Sequence, residues 1–181
     1  METRNNEGKT STGRMLTGMF SNRQSAENAY NELHDRGYKD DEIDLIMSDE
    51  TRKKNFSDEV EETEIGTKAA EGAGKGSAIG GTIGAIAGVI AALGTSLVIP
   101  GLGLVVAGPL AAGLAGAGAG GVTGGIIGAL VGSGIPEARA KLYEKGIKEG
   151  NIVLGVRPRS DQDAEQLQRN WTEHKASEIH W

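Results

Sequence analysis

The chain has 181 residues, with 19 basic and 25 acidic side chains, no cysteine, and 29 glycines, about twice the usual fraction of glycine. Lack of cysteine excludes a disulfide framework, a thiol nucleophile and a cysteine-ligated metal site. The net charge of −6 argues against a nucleic-acid partner, which would need a basic stripe. Twenty-one glycines lie between Gly72 and Gly134, and residues 76–136 carry no charge in 61 positions, so the composition predicts a polar domain interrupted by an apolar insert.

The N-terminal third of the chain predicts a polar tail followed by a strand and a helix. Residues 1–13 are polar, so we expect a disordered tail and no secretion signal. The apolar run 14–20 is typical of a strand. Ser21 and Gln24 form a capping-box pattern, and apolar residues then recur at helical spacing until Gly37, which is placed to end the helix.

The next segment alternates polar and apolar residues and predicts a second strand over 42–47. Residues 14–47 therefore form a strand–helix–strand unit, for which parallel strands are expected. Residues 48–68 are rich in acidic side chains and poor in apolar ones, which indicates a solvated acidic linker.

After the insert, residues 136–173 predict a helix, a strand and a second helix. Pro136 suits the first turn of a helix that carries one apolar face; the face consists of Ala138, Leu142, Tyr143 and Ile147. A strand follows over 151–157, and Ser160 or Asp161 can cap a last helix before a C-terminal tail, 174–181. Without the insert, the order predicts a small α+β sandwich of ferredoxin-like type that lacks one strand.

The glycines of the insert, predicted over 69–135, follow a fixed spacing. Ten of them form two series spaced four apart, which on a helix make two ridges without side chains; they are Gly72, Gly76, Gly80, Gly84 and Gly88, then Gly116, Gly120, Gly124, Gly128 and Gly132. Large apolar residues occupy other faces of the same predicted helices; they include Ile86 and Ile90, then Ile126, Ile127, Leu130 and Val131. Since glycine costs a helix about 1 kcal/mol per residue relative to alanine, close packing along the ridges must offset that cost.

Two arrangements can supply this packing. Predicted helices over 68–93 and 104–133, joined by a turn at Pro100 and Gly101, are each long enough to cross a bilayer, and flanking basic residues would place both termini in the cytoplasm. Alternatively, the same glycine-zipper hairpin packs within a cytoplasmic homo-oligomer and meets no lipid.

Motifs for catalysis or ligand binding are weak. Residues 72–77 match only part of a phosphate-binding loop, and the dinucleotide pattern at 116–121 follows no predicted strand. His34, His174 and His180 have no spacing that suits a metal, and residues 40–42 suit a helix-to-strand turn. We therefore predict no catalytic, metal or cofactor residues, no cofactor and no small-molecule substrate.

Three segments together resemble the general stress protein 17M-like family, which includes bacterial heat-induced and low-temperature-induced stress proteins. They are residues 14–49, the insert motifs at 99–103 and 107–110, and residues 134–157. Where the family usually has Pro-Glu-Glu-x-Ala, this chain has Pro-Glu-Ala-Arg-Ala at 136–140. The resemblance implies a stress-induced protein and supplies no catalytic or ligand residues.

From these features we expect a non-enzymatic stress-response protein that is held at the cytoplasmic membrane by a self-associating hairpin. A soluble oligomeric scaffold whose hairpins share a core is the first alternative. A small-ligand sensory domain is the second, and it rests on analogy of fold alone.

Overall fold

The computed structural model describes residues 14–56, 86, 88–90, 98–99, 103–111, 125–132 and 134–181. The predicted tail 1–13, the second part of the predicted linker and most of the insert lie outside the described residues. The labelled elements are β1 (Leu16–Phe20), α1 (Arg23–Asp35), β2 (Ile43–Ser48), β3 (Val98–Ile99), β4 (Leu104–Ala107), α2 (Gly125–Gly132), α3 (Glu137–Lys148), β5 (Ile152–Val156), α4 (Asp161–Glu173) and β6 (Ser177–His180). A 3-10 turn spans Asp40–Glu42, and residues 49–56, 88–90 and 109–111 are helical.

The strands form one antiparallel sheet in the order β3-β4-β2-β5-β1-β6, with five strands of four to six residues and one of two. Both β1 and β2 pair with β5 in antiparallel register, so they run parallel to each other with β5 between them. The predicted parallel direction is therefore confirmed, and the two strands are not neighbours. The α+β class is confirmed as well.

Helices cover both faces of this sheet. On the first face, α1 and α4 pack on alternate residues of the strands, and Phe20, Leu33, Leu154 and Trp171 lie at the centre of this layer. On the second face, α2 and α3 cover the other set of residues, among them Ile46, Val106 and Val153. The sheet is thus the middle of three layers, with one hydrophobic core on each of its faces.

The helix ends agree with the sequence prediction except at one cap. Gly37 has φ +82° and ends α1 as predicted. Ser160 caps α4 by accepting a hydrogen bond from the Asp163 backbone N–H. The predicted cap at Ser21 is wrong, because the side chain of Asn22 accepts the hydrogen bond from the Ser25 backbone N–H at 2.9 Å.

The apolar face of α3 lies elsewhere than predicted. Tyr143 and Ile147 are buried as expected, but Ala138 and Leu142 are exposed. Ala140 and Gly146 are buried instead. A Cβ on Gly146 would lie 2.0 Å from the Met19 sulfur, so the helix approaches β1 most closely at a residue without a side chain.

The middle of the insert belongs to the sheet. Residues 104–107, predicted to begin a helix over 104–133, form β4, which pairs with β2 from Ser48↔Leu104 to Leu45↔Ala107. The predicted turn residues Pro100 and Gly101 lie outside the described residues; the strands β3 and β4, which precede and follow them in sequence, are paired. All four β4 residues are buried, which leaves no polar–apolar alternation to mark them as a strand.

The acidic linker and the C-terminal tail also contain structure that the sequence did not predict. Residues 49–56 are helical, and Phe56 is buried in the first core. In the predicted tail 174–181, residues Ser177–His180 form β6 beside β1. Among the residues that the structure describes, every helix is too short or too polar to cross a bilayer.

Candidate functional site

Two of the described ridge glycines, Gly88 and Gly132, have no described neighbour at the place where a side chain would project. Gly88, Gly128 and Gly132 are described, and the other seven ridge glycines lie outside the described residues. A Cβ added at Gly88 or at Gly132 would meet no described atom within 4 Å. These two glycines therefore make no close contact with the rest of the described chain.

Four large apolar residues of the same segments are buried in the cores of the domain, whereas Val131 of α2 is exposed. Ile86 and Ile90 are buried in the core beneath α1. Ile126 and Leu130 of α2 are buried in the core beside α3. The isoleucine face, which the sequence assigned to lipid or to an oligomer, is covered by the chain itself at these four positions.

Two buried carboxylates of the α+β domain accept hydrogen bonds from backbone N–H groups of the insert. Glu27 of α1 is 5 % exposed and accepts a hydrogen bond from the Ile86 backbone N–H at 3.1 Å. Asp44 of β2 is 1 % exposed and accepts one from the Leu110 backbone N–H at 2.7 Å. The chain is thus hydrogen-bonded to α1 before β3 and to β2 after β4, and both of these elements precede the insert in sequence.

The Asp44 contact lies at a tight turn, residues 108–111, which leads from β4 into a helical segment. Gly108 has φ +85°, and a Cβ there would lie 2.1 Å from the Ile43 carbonyl oxygen and 2.9 Å from the Asp44 Cα. Glycine is required at this position on two grounds, because its φ is left-handed and because the backbone of β2 leaves no room.

Asp44 has an unusual environment for a carboxylate. Its second oxygen is buried and has no hydrogen-bond partner among the described residues. Burial raises the pKa of Asp44 to about 6, and this effect exceeds the lowering caused by the Leu110 N–H and by the charge of Arg157. The Asp44 carboxyl is therefore easier to protonate in the folded protein than an exposed aspartate.

Asp44 belongs to a row of residues that crosses the second face of the sheet. The strand registers align Asp44, Gly155, Thr17 and His180 on four neighbouring strands. A Cβ on Gly155 would lie 3.1 Å from the Met15 sulfur and 3.2 Å from the Asp44 Cβ. The absence of a side chain at Gly155 therefore leaves room over this strand for the side chains of Met15 and Asp44.

Tyr143 of α3 packs over this row and contacts it through its hydroxyl group. Its hydroxyl lies 2.7 Å from the Thr17 hydroxyl oxygen and 2.8 Å from the carbonyl oxygen of Glu178. Burial raises the pKa of Tyr143 to about 12, so it stays neutral near pH 7. Glu178 has φ +51° in β6. Its side chain forms an ion pair with Arg139 of α3, with 2.5 Å between Glu178 Oε2 and Arg139 Nη1.

The histidines occupy separate places in the structure. His34 lies 2.9 Å from Asp40, whose same oxygen accepts a hydrogen bond from the Tyr30 hydroxyl. His174 lies 3.4 Å from Glu32. Burial, the largest cause, together with the charges of Arg139 and Arg14, lowers the pKa of His180.

In the described ranges, no three metal-ligating side chains come together. Residues 40–42 form the predicted turn before β2. The phosphate-loop fragment at 72–77 and the glycine pattern at 116–121 lie outside the described residues.

The sequence did not predict that Asp44 and Glu27 are buried, because each lies in a pattern in which a charged side chain usually faces solvent. Asp44 alternates with Ile43 and Leu45 in β2, and alternation commonly assigns the polar set to water. Ile46 lies on the same side of β2 as Asp44 and is buried in the second core, so this apolar residue was the signal that the Asp44 side of the strand is covered.

No family model, curated protein or solved structure matches the chain.

Proposed function

We propose that this is a non-enzymatic stress-response protein that self-associates through the glycine side of its insert, with the insert anchored on the α+β domain. The observation that supports the proposal most directly is the orientation of the two helical segments. Ile86 and Ile90, and likewise Ile126 and Leu130, face the domain, whereas Gly88 and Gly132 are open. The stress context rests on the resemblance to the 17M-like family.

The energetic argument favours a partner on the open side. An exposed glycine in a helix costs about 1 kcal/mol relative to alanine, and nothing within the described chain offsets that cost at Gly88 or Gly132. Close approach of another helix backbone would offset it, because small residues spaced four apart allow the shortest interhelical distances. A second copy of the chain supplies such a surface with the same spacing.

The strand order also supports the fold that we infer. The strands β6-β1-β5-β2, with α1 and α4 on one face, have the order of a ferredoxin-like sandwich. β6 supplies the strand that the sequence prediction lacked. We interpret α3, the β3–β4 pair and the covered second face as additions to that sandwich.

Of the two arrangements of the insert, the geometry favours the soluble oligomeric scaffold. A bilayer-spanning hairpin whose turn lies beyond the membrane would have to remove β3 and β4 from the sheet and break the pairing with β2. Membrane association at the cytoplasmic face is the second candidate function, and the uncharged stretch over 76–136 favours it.

Light scattering coupled to size-exclusion chromatography without detergent tests self-association. We expect a defined oligomer of the 18.8 kDa chain. Gly124→Leu, on the second ridge, is expected to reduce the oligomer mass. Gly118→Leu, two positions off the register of four in the sequence, is its matched control, and both positions lie outside the described residues. A wild-type monomer at micromolar concentration, or equal effects of both substitutions, would contradict the proposal.

Carbonate washing of cell membranes tests the second candidate separately. Recovery of the full chain in the soluble fraction would eliminate stable membrane insertion and leave self-association standing. Recovery in the washed membranes, with extraction by detergent alone, would support insertion and contradict the soluble scaffold.

A further inference from the structure

We infer that the turn formed by residues 108–111 is a proton-dependent latch, bound to β2 most tightly when Asp44 is protonated and released more readily when Asp44 is ionised. The inference concerns this turn alone and stands whether or not the chain self-associates.

The latch has two contacts with β2. Gly108 lies against the Ile43 carbonyl so closely that a Cβ would clash, and the Leu110 N–H donates to Asp44 at 2.7 Å. Leu110 itself is buried in the second core. Opening of the turn therefore removes the cover from Asp44 and admits water to its carboxylate.

Among the residues that the structure describes, Asp44 has no ion-pair partner to stabilise its charge in the closed state. A buried carboxylate without a paired cation is disfavoured relative to its protonated form, unless hydrogen bonds compensate. One backbone N–H donates to Asp44, and its other oxygen has no partner among the described residues. Ionisation is thus easier in the open state, where water solvates both oxygens.

Other charged and titratable groups near Asp44 could also contribute to the pH dependence of turn opening. From β5, Arg157 acts on Asp44 through space, and Gly155 is adjacent without a charge. From the segment before β1, Met15 approaches the same place, and Tyr143 of α3 is neutral below pH 10. His180 lies in the same row two strands beyond Gly155, and burial, with the charges of Arg139 and Arg14, lowers its pKa.

The sign follows from the direction of the shift. The pKa of Asp44 is raised in the folded state, so its contribution to stability is complete below about pH 4 and is lost as the pH rises through 6. With an open-state pKa of 3.8, the equilibrium constant for opening should rise ~60-fold between pH 4 and pH 8.

Hydrogen exchange of the full chain, corrected for the intrinsic pH dependence of amide exchange, measures this constant. We expect the peptide that covers residues 104–111 to lose protection ~60-fold over this range in the wild type. Asp44→Asn should remove the dependence, because asparagine keeps an acceptor for the Leu110 N–H and carries no charge. Asp41→Asn, at an exposed carboxylate of the preceding turn, is the matched control and should retain it.

Three results would overturn the latch. Constant protection from pH 4 to pH 8, or pH dependence that persists in Asp44→Asn, would show that Asp44 does not control opening. Exchange of the β5 peptide at the same rate as the turn would show that opening is global. Should Asp44→Asn fail to fold, NMR titration of the wild-type carboxyl decides: a midpoint near 6 supports the latch and one near 4 overturns it.

Discussion

Substitution of Gly108 by alanine gives a direct measure of whether the insert is part of the domain. The added Cβ would lie 2.1 Å from the Ile43 carbonyl oxygen, at a backbone φ of +85°. A left-handed conformation costs an L-residue about 1–2 kcal/mol. Forcing extra volume into a packed site typically costs a further 1–3 kcal/mol. We therefore expect Gly108→Ala to lower the free energy of unfolding by about 3 kcal/mol or more.

Two other glycines of the insert serve as matched controls. Gly103 has φ +61° and open space around it, so Gly103→Ala should cost only the conformational term of about 1–2 kcal/mol. Gly88 is helical and also has open space, so in a monomer Gly88→Ala should stabilise by up to about 1 kcal/mol. The three substitutions add the same methyl group and differ in what it meets.

Urea unfolding followed by tryptophan fluorescence is a suitable assay, because Trp171 is completely buried in the first core and reports its exposure. The reasoning would be refuted if Gly108→Ala cost no more than Gly103→Ala. That result would mean that the turn does not rest on β2, and that the insert does not contribute a strand to the sheet under the conditions of the assay.

Three further substitutions test the two cores and the buried acid. Gly18→Ala should destabilise by about 2 kcal/mol in urea unfolding, because its Cβ would lie 2.7 Å from the Trp171 ring; an unchanged midpoint would place the ring elsewhere. Tyr143→Phe should cost about 1 kcal/mol through the hydrogen bond lost between α3 and the strands, and a neutral result would mean that water replaces it. Asp44→Asn should raise the free energy of unfolding by up to about 3 kcal/mol at pH 8 and leave it nearly unchanged at pH 4, whereas an equal gain at both values would show that charge is not the cause.

The flanking domain was predictable because its local signals agree with its tertiary structure. Gly37 has a positive φ and follows α1 at the predicted position. In α4, the apolar residues Ala164, Leu167 and Trp171 are the three that are buried. One apolar stripe on a polar helix leaves few alternative orientations, so the sequence specifies the packed face.

The missed strands lack such signals for two different reasons. β4 is buried on both sides, so Leu104 to Ala107 form a continuous apolar run that is equally consistent with a helix. β6 is short and partly exposed, and Glu178 in its middle has a left-handed backbone that local propensity disfavours. Its place in the sheet depends on contacts with Tyr143 and Arg139, which lie more than thirty residues away in sequence.

The orientation of the insert changes what its uncharged composition implies. A long apolar stretch must be covered so that its side chains are shielded from water. The sequence alone allows lipid, a second copy or the chain itself to supply this cover. The buried positions of Ile86, Ile90, Ile126 and Leu130 show that the domain supplies it for these four side chains, whereas Val131 of α2 is exposed. Gly88 and Gly132 are left open, and their helical cost is unmet within the described chain. In the self-association that we propose, a second helix backbone would pack along the glycine side, and close packing there would offset that cost.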